Sequence, residues 1–489
     1  MTTVEQSHPP LIYSLIPARL DALPWSRWHW RVVIALGVTW ILDGLEVTIV
    51  GSLGGILQRP DTLALSAIEI GWAGSSYVAG AVIGALVFGR SADRFGRKRL
   101  FLITLAVYLF GTVLTAFAFD FMSFVACRFI TGLGIGGEYA AINSAIDELI
   151  PARVRGQTDL AINGTFWAGA ALGAGVSLLL LDPAVLGPDF GWRMAFALGA
   201  ILGVAILLVR RYVPESPRWL LIHGQGQRAE AEIAVIEAEV ARQHGPLPEV
   251  STHLTIALRS PPSWREILTL LLVRQRRRTL LGFMLMVAQA FFYNAIFFTY
   301  GLVLTHFYDV PDRRVGLYII PFALANLVGP FVLGRFFDTI GRRAMIGSTY
   351  AVSGIALLAT GYAFMHGWLD ALTQTLCWSA IFFVASAAAS SAYLTVSEIF
   401  PLEMRALAIS IFYAVGTGAG GFVAPALFGM LIESQSPQAV FIGYALAAML
   451  MLLAAVTAAL FGVDAERKPL EEVAEPLSAV QEDTEVSRG

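Results

Sequence analysis

The chain is poor in charged residues and has almost none of the residues that build disulfide or zinc sites. Charged residues make up 14% of its 489 residues and hydrophobic residues 56%, whereas a soluble domain contains about a quarter charged residues. Both cysteines, Cys127 and Cys377, lie within apolar runs, which excludes a disulfide framework and the usual zinc spacings. The first thirty residues lack the short apolar core of a cleaved signal peptide. Most of the chain is therefore expected to lie in lipid, and nucleic acid is not an expected partner.

What the chain has instead is a series of twelve apolar runs, each long enough to cross a hydrocarbon core of about 30 Å. Alternating polar positions are rare in these runs, which argues against a β-barrel. The runs lie near 32–57, 69–89, 99–119, 121–147, 158–181, 191–213, 279–307, 315–337, 344–366, 368–397, 404–432 and 438–462.

A long polar stretch divides the runs into two sets of six. We therefore predict an all-α membrane protein with twelve transmembrane helices in two pseudo-symmetric six-helix bundles. Within the polar stretch, the spacing of apolar residues at 226–243 predicts a surface helix. The expected division is an N-terminal segment at 1–31, a bundle at 32–213, a linker at 214–278, a second bundle at 279–462 and a disordered acidic tail at 463–489.

The two predicted bundles share sequence motifs. Each has a Glu-x-x-Pro-x-x-x-Arg string after its fourth run, and the two strings lie 250 residues apart. Each also has a Gly-x-x-x-Asp-x-x-Gly turn followed by two basic residues, and these turns lie 245 residues apart. The strings are Glu148 to Arg155 and Glu398 to Arg405, and the turns are Gly89 to Lys98 and Gly334 to Arg343. Two copies of one membrane bundle in series are the layout of a secondary transporter.

The distribution of basic residues predicts the orientation. If the amino terminus is cytoplasmic, the opposite face carries only Arg59, Arg193, Arg313 and Arg314, and Arg128 lies within a span. All the other Lys and Arg residues then fall on the cytoplasmic side, as the positive-inside rule requires. We expect a multi-pass protein of the plasma (inner) membrane with both termini in the cytoplasm.

The paired strings and turns, together with Pro214-Glu-Ser-Pro217-Arg218-Trp219, resemble the major facilitator superfamily. More narrowly, they look like its sugar-porter and organic-ion branches. The resemblance covers roughly residues 30 to 462. It implies two six-helix bundles around a central cavity that is lined by the first, fourth, seventh and tenth spans.

The same resemblance assigns a role to the charged residues of the motifs. In such families these residues form an ion-paired network that closes a gate on the cytoplasmic side. The residues of this sequence that match are Asp93, Arg97, Glu148 and Arg155 in the first half, and Asp338, Arg342, Glu398 and Arg405 in the second.

Four ionisable residues lie deep inside predicted spans of the first half: Asp43, Glu46, Arg128 and Glu138. Each such group costs about 2.5–3.5 kcal/mol at the centre of a membrane helix, so it usually faces a partner or a water-filled path. One interpretation is a buried ion pair that only fixes packing, with Arg128 held by Asp43 or Glu46. The other is proton coupling, in which one carboxylate binds a proton in one orientation and releases it in the other. The string Asp43-Gly-Leu-Glu46 also resembles the Asp-Gly-x-Asp signature of aromatic-acid/proton symporters, with Glu in place of the second Asp.

The second half has lost these charges. A shift of 250 residues carries Arg128 to Trp378, Glu138 to Ala388 and Asn143 to Tyr393. Gln289 and Asn294 match two positions of the sugar-porter Gln-Gln-x-x-Gly-x-Asn pattern. The position of Tyr393, five residues before Glu398, resembles niacin-type and organic-ion transporters. All four asparagines lie within spans, which suggests a polar cavity, although any one of them could form a helix–helix hydrogen bond. The predicted substrate-binding residues are Asn143, Asn163, Gln289, Tyr293, Asn294, Trp378 and Tyr393.

These patterns predict a proton-coupled symporter of a small organic solute, an aromatic or other organic acid, that works by alternating access. A sugar or polyol symporter, a proton-driven drug exporter and a non-transporting solute receptor are the alternatives. The sequence shows no nucleophile–base pair, metal cluster or phosphate loop, so we expect neither an enzyme nor a cofactor or metal. The expected partners are the solute, protons and the lipid bilayer, and the protein is expected to be a monomer.

Overall fold

The computed structural model describes residues 11–180, 185–210, 213–257, 262–297, 299–421 and 423–479. Almost all of them are helical, and the helices form the predicted two bundles. Spans 1 to 6 are Arg27–Ser52, Ala67–Phe95, Arg97–Ala116, Phe121–Leu149, the pair Arg155–Gly164 and Phe166–Leu180, and Pro188–Arg210. Spans 7 to 12 are the pair Arg276–Phe297 and Tyr300–Tyr308, then Asp312–Thr339, Arg342–Met365, Ala371–Ile399, the pair Arg405–Gly416 and Val423–Glu433, and Pro437–Phe461.

Ten of the spans are, by length and hydropathy, helices that could cross a membrane by themselves. The remaining two are span 4, which buries Arg128 and Glu138, and span 11, which a π-helical turn at Thr417–Gly421 interrupts. The prediction of twelve spans is confirmed. Most helix bounds agree with the apolar runs to within about five residues, and spans 2 and 8 extend beyond their runs because their charged ends, Arg90 to Phe95 and Asp312 to Arg314, are also helical.

The sequence repeat is also a structural repeat. Spans 4 and 10 both contain 29 residues, and each begins after an aspartate that caps it. Asp120 accepts a hydrogen bond from Ser123 N at 2.8 Å, and Asp370 accepts one from Thr373 N at 2.7 Å. A single 3₁₀ turn follows each helix, at Ala152–Val154 and Leu402–Met404. The bounds of this unit therefore recur at the spacing of the motifs.

The two glycine turns reverse the chain between spans 2 and 3 and between spans 8 and 9. Gly96 has φ +100° and Gly341 has φ +119°. Residues with a side chain rarely adopt these values, so the glycine lets one helix end and the next begin at the following arginine. This geometry places Arg97 and Arg342 at equivalent helix starts.

Small residues bring helices of the first bundle into backbone contact. A Cβ atom at Gly80 or Gly84 of span 2 would overlap the backbone of span 4 at Phe129 or Leu133, and Gly132 and Gly136 of span 4 have the reciprocal relationship with span 2. Close packing of this kind is usual where helices meet in a membrane. Between the bundles, span 2 packs on span 11 and span 5 packs on span 8.

One side of the molecule carries the linker together with the described ends of the chain. We call it the linker face, and it comprises residues 11–26, 213–257, 262–275 and 463–479 together with the ends of the spans next to them. Strand β1 (Leu11–Ser14) pairs antiparallel with strand β2 (Leu254–Ala257) in a two-stranded sheet that the all-α prediction did not include. The helices here are Ile16–Ala22, Pro217–Ile222, Gly226–His244, Trp264–Thr269 and Leu470–Val473, and a π-helical turn at Leu270–Arg274 leads into span 7. Gly226–His244 is the predicted surface helix.

The prediction of disorder from residue 463 is wrong for the described part of the tail, 463–479. Leu470 and Val473 are buried, and Ala479 forms a β-bridge with Ile256. Glu471 lies 2.5 Å from the buried guanidinium of Arg218. Glu471, one of the acidic residues that suggested a solvated tail, instead neutralises a buried arginine. The rest of the tail, 480–489, lies outside the described residues, as does 1–10 of the N-terminal segment.

Candidate functional site

A cavity of about 240 Å³ lies between the two bundles, at mid-depth. Its walls come from spans 1, 2, 4, 5, 7, 10 and 11, so the four spans expected there are joined by three others. Nine of the lining residues are aromatic, and no Lys, Arg or His is among the lining residues that the structure describes. The lining residues are Trp40, Val47, Tyr77, Val78, Ala81, Tyr139, Asn163, Phe166, Trp167, Gln289, Ala290, Tyr293, Asn294, Phe297, Ser386, Ala389, Ser390, Tyr393, Tyr413 and Thr417.

The structure brings five of the seven predicted substrate-binding residues to this cavity: Asn163, Gln289, Tyr293, Asn294 and Tyr393. Asn143 lies one layer behind, where its Oδ1 accepts a hydrogen bond from Asn163 Nδ2 at 3.1 Å. It can therefore orient Asn163 without lining the cavity itself.

Trp378 does not reach the cavity. Its side chain is fully buried inside the second bundle, with its ring centroid 4.8 Å from that of Tyr300 and 6.4 Å from that of Tyr444. Trp378 precedes Tyr393 by fifteen residues, which is about 22 Å along a helix, so the two side chains cannot serve one small cavity. The shift of 250 residues identified its counterpart, Arg128, but could not give its depth relative to the cavity.

Aromatic rings of the cavity contact one another across the bundle interface. The Tyr139 ring centroid lies 4.6 Å from that of Trp40 and 4.7 Å from that of Tyr413, a residue of the second bundle. Trp167 contacts Tyr293 in the same way at 5.8 Å. Of these residues, only Tyr293 was predicted from the sequence. The others were missed because their only signal was the high number of aromatic residues in the spans.

Behind this aromatic wall lies Asp43, which is buried in span 1. Its Oδ2 accepts a hydrogen bond from the Tyr139 hydroxyl, and its Oδ1 accepts one from the Tyr77 hydroxyl at 3.4 Å. Glu138 is also buried and lies close enough to interact with Asp43 electrostatically. Two tyrosines that line the cavity thus converge on one carboxylate.

Glu46, one helical turn from Asp43, has a different environment. Its Oε1 lies 2.6 Å from Arg128 Nη1, while its Oε2 accepts hydrogen bonds from the hydroxyls of Tyr108 and Thr112. The Arg128 guanidinium also lies over the ring of Tyr77, 4.6 Å from its centroid. Of the two acids that the sequence offered as partners for Arg128, the structure selects Glu46.

At the linker face, each bundle contains one internal charge cluster. Arg97 lies 3.0 Å from Asp93 and 2.8 Å from Glu148. The second bundle repeats this arrangement, with Arg342 at 2.9 Å from both Asp338 and Glu398. All of these side chains are buried.

The two clusters also join the bundles to each other. Asp93 accepts hydrogen bonds from Ala406 N at 3.2 Å and Leu407 N at 2.9 Å, at the start of span 11. Asp93 thereby caps the N-terminus of a helix in the opposite bundle, where backbone N–H groups and the helix dipole favour a negative charge.

The bundles are also joined by Asp338, which makes the contact equivalent to that of Asp93, and by two ion pairs. Asp338 accepts hydrogen bonds from Gly156 N at 3.1 Å and Gln157 N at 2.7 Å, at the start of span 5. Arg155 lies 3.6 Å from Glu398, and Arg405 lies 3.8 Å from Glu148. All eight residues of the expected gate therefore meet between the bundles, on the linker side of the central cavity.

The Pro-Glu-Ser-Pro-Arg string extends this network beyond the spans, which sequence reasoning did not foresee. Glu215 Oε1 accepts hydrogen bonds from Arg97 N at 2.9 Å and Ser216 N at 3.1 Å, and burial raises the pKa of Glu215. Arg218 lies between Asp21 at 2.7 Å and Glu471 at 2.5 Å. The string thus connects the charge cluster to the N-terminal segment and to the tail.

Two repeated six-helix bundles around a central cavity are the fold of the major facilitator superfamily. The family described as sugar (and other) transporter matches residues 27–477, and the chain belongs to it. The protein is therefore a multi-pass membrane transporter of small molecules and not an enzyme.

Individual relatives have several different substrates. The chain is 27% identical to the niacin transporter NiaP of Acinetobacter baylyi, over 93% of this chain and 99% of that protein. It is 29% identical to the myo-inositol transporter 2 of Schizosaccharomyces pombe, over 85% of this chain and 76% of that protein. Among solved structures, the proton:xylose symporter XylE bound to 6-bromo-6-deoxy-D-glucose superimposes with a TM-score of 0.75 at 22% identity, covering 91% of this chain and 98% of that one.

Proposed function

We propose that the protein is a proton-coupled symporter that carries a small aromatic or other organic acid by alternating access. The observation that carries this proposal is the position of Asp43 behind the cavity wall, where two cavity tyrosines donate hydrogen bonds to it. A protonation change at Asp43 would therefore change the hydrogen bonding of two tyrosines in the surface that contacts the solute.

The composition of the cavity supports an aromatic solute. Planar rings such as Trp40, Tyr139 and Trp167 offer faces and edges for stacking. Amide groups of Asn163, Gln289 and Asn294, with tyrosine hydroxyls, offer hydrogen-bond donors for a carboxylate. A few polar groups in a mainly apolar pocket are the usual arrangement for binding a small molecule. The similarity to a niacin transporter favours the same class of solute.

The environments of the two acids in span 1 support Asp43 as the residue that binds the proton. Glu46 has a counter-ion in Arg128, which stabilises its charged form and holds it in place. Among the described residues, Tyr139 and Tyr77 donate hydrogen bonds to Asp43 and no arginine pairs with it, so a proton can neutralise it without leaving a buried arginine unpaired.

Protonation of Asp43 then changes the cavity wall. As a carboxylate it accepts hydrogen bonds from both Tyr139 and Tyr77, which fixes the direction of the two hydroxyls. As a carboxylic acid it becomes a donor at one oxygen, so one tyrosine hydroxyl must turn toward the cavity or toward the acid as an acceptor. The solute and the proton would in this way alter each other's binding free energy, as symport requires.

We also propose that the linker face is cytoplasmic and that the membrane is the plasma (inner) membrane. The basic cluster Arg274 to Arg278 lies at this face, next to the start of span 7, whereas Arg59 and Arg193 lie at the opposite ends of their spans. This distribution follows the positive-inside rule. Both described ends of the chain then lie in the cytoplasm.

The test is transport in reconstituted vesicles. We expect an inward proton gradient to drive accumulation of nicotinate or benzoate, and Asp43→Asn to abolish accumulation while equilibrium binding of the acid persists. Full gradient-driven accumulation in Asp43→Asn would contradict the assignment of the proton, and binding with no flux would favour a receptor.

A sugar or polyol symporter is the second candidate, and the amides favour it. Asn163, Gln289 and Asn294 present both donors and acceptors to the cavity, which suits a solute with several hydroxyl groups. The myo-inositol relative is consistent with this alternative. Thermal stabilisation of the purified protein separates the two candidates: myo-inositol and hexoses should raise the melting temperature in one case, and nicotinate or benzoate in the other.

A further inference from the structure

Two carboxylates at the linker face take no part in the paired network of the gate. Asp147 lies at the end of span 4, directly before Glu148, and Asp159 lies one turn after Arg155 in span 5. Both side chains are fully buried. Neither was singled out from the sequence, because each sits beside a motif without belonging to it.

Neither carboxylate receives a hydrogen bond of normal geometry in the part of the chain that the structure describes, although Ser397 lies near Asp147 and Asn163 lies near Asp159. The neutral polar groups beside them donate elsewhere. The Ser397 hydroxyl donates to Leu394 O at 2.8 Å, and Asn163 Nδ2 donates to Asn143 Oδ1 and to the main-chain oxygen of Asp159. A buried carboxylate that receives no hydrogen bond is costly in its charged form.

The charges around the two residues do not compensate for this burial. Asp147 faces Arg155 and Arg405, but also Glu398. Asp159 faces Arg342, but also Glu398 and Asp147 itself. These arginines already form ion pairs with gate carboxylates, at 3.6 Å for Arg155, 3.8 Å for Arg405 and 2.9 Å for Arg342. Asp147 and Asp159 are therefore two negative charges in excess of what the gate arginines neutralise.

The internal repeat shows that a closed gate does not need them. The positions 250 residues further on are Ser397 and Ile409, which carry no charge. The second bundle nevertheless places Arg342, Asp338 and Glu398 as the first bundle places their counterparts. The extra acids must therefore serve a purpose other than closing the gate.

We propose that Asp147 and Asp159 form a second proton-binding site, which holds protons while the linker-face gate is closed and releases them when the gate opens to water. The ligand is the proton itself, and the site is separate from Asp43. Opening separates the bundles at Arg155–Glu398 and Arg405–Glu148, and water then reaches the two carboxylates and stabilises their charged forms. The proton leaves to the aqueous phase on the linker side.

The consequence is a gate whose equilibrium depends on pH. The closed state binds more protons than the open state, so acid favours closure and alkali favours opening. Consider the pH range between the pKa of a carboxylate in the open state and its pKa in the closed state. In this range the ratio of closed to open molecules falls about tenfold per pH unit for each proton released. This dependence concerns the empty transporter and requires neither solute nor a proton gradient.

The test measures the gate directly in lipid nanodiscs. Spin labels at Arg99→Cys in the first bundle and Thr339→Cys in the second, both exposed at the linker face, report the distance between the bundles once Cys127 and Cys377 are replaced by Ala. We expect the closed fraction of this parent to fall as the pH rises. In Asp147→Asn/Asp159→Asn, the gate should remain closed over the same pH range.

Two further variants make the result specific. Asp464→Asn, an exposed aspartate of the tail, should keep the full pH response of the parent, and Asp43→Asn should keep the part that Asp147 and Asp159 contribute. If the double variant does not fold, each single variant should show a shallower response than the parent. A parent distance that does not change with pH, a response that is undiminished in the double variant, or a response lost completely in Asp43→Asn would each overturn the proposal. Failure of proton-driven uptake would contradict the proposed function and leave this measurement standing.

Discussion

Tyr139 donates a hydrogen bond to Oδ2 of Asp43, and this contact joins the wall of the central cavity to a buried carboxylate. The tyrosine ring contacts Trp40 of its own bundle and Tyr413 of the other, while its hydroxyl faces span 1. Because this side chain contacts both, a solute in the cavity can change the hydrogen bond that the carboxylate receives. It can also change the cavity when the carboxylate takes up a proton.

Asp43→Asn is expected to lower gradient-driven accumulation of the solute at least tenfold. Asparagine has nearly the same shape as aspartate but binds no proton, so the variant resembles one permanently protonated state. Exchange of labelled for unlabelled solute across the membrane should continue, because exchange does not require release of the proton. Comparing accumulation with exchange in the same vesicles checks the prediction, and loss of both would indicate a structural defect.

Tyr139→Phe should weaken the coupling without closing the cavity. The variant keeps the ring and its contacts with Trp40 and Tyr413 but removes the hydroxyl that donates to Asp43. We expect solute binding to become less dependent on pH than in the parent protein, with affinity changed less than tenfold. Binding titrations at several pH values measure this effect. Tyr293→Phe is the matched control, because its hydroxyl donates to Asn326 at 2.9 Å and not to Asp43.

Arg128→Gln should destabilise the protein strongly, because it leaves the buried carboxylate of Glu46 without its counter-ion. Removing one member of a buried ion pair costs about 3–5 kcal/mol. Arg128→Gln combined with Glu46→Gln should recover most of this loss. Thermal unfolding in detergent follows both variants. Arg193→Gln is the control, since its pair with Asp189 is partly exposed and such pairs contribute about 1 kcal/mol or less.

Asp338→Ala should open the gate at the linker face. Asp338 caps the start of span 5 from the opposite bundle, and loss of such a cap costs about 0.5–2 kcal/mol. The ratio of open to closed molecules should therefore rise by a factor of about 2 to 30. Interbundle distances from spin labels measure the change. Asp370→Ala removes a cap within one bundle and should reduce stability without changing this ratio.

Gly44→Ala should impair packing of the first bundle. A Cβ atom at Gly44 would overlap the carbonyl of Phe166, and one at Gly169 would overlap the carbonyl of Ile41, so spans 1 and 5 touch through a pair of glycines. Because both obstacles are backbone atoms, they cannot move aside cheaply. We expect a lower melting temperature and a lower yield of folded protein. Gly74→Ala, which meets nothing within 4 Å, should have neither effect.

Much of the fold could be predicted because its signals are local in the sequence. The twelve apolar runs gave the twelve spans, since run length alone decides whether a helix can cross the membrane. The family resemblance predicted that Asp93, Arg97, Glu148 and Arg155 form an ion-paired network with their counterparts in the second half, and the structure brings all eight residues together. Five predicted cavity residues lie where expected because a buried amide or tyrosine in a span needs a polar place to face.

The errors arise where the outcome depends on depth, rotation or distant packing. Trp378 was placed in the cavity through its counterpart Arg128, although a position along a helix does not fix a position relative to a cavity. The tail was read as disordered from its acidic composition, but Arg218, some 250 residues earlier in the chain, binds its Glu471. No pattern near either residue carried that information.

The sequence by itself determined the number of spans, their division into two related bundles and the residue types of the gate, because hydrophobic length and motif repetition are properties of the chain alone. Only the tertiary structure decided that Arg128 pairs with Glu46, that Asp43 instead meets two cavity tyrosines, and that Asp147 and Asp159 lie buried in excess of the gate arginines. These pairings depend on the rotation of each helix and on contacts between residues that are far apart in the sequence. Local sequence patterns reveal neither of them.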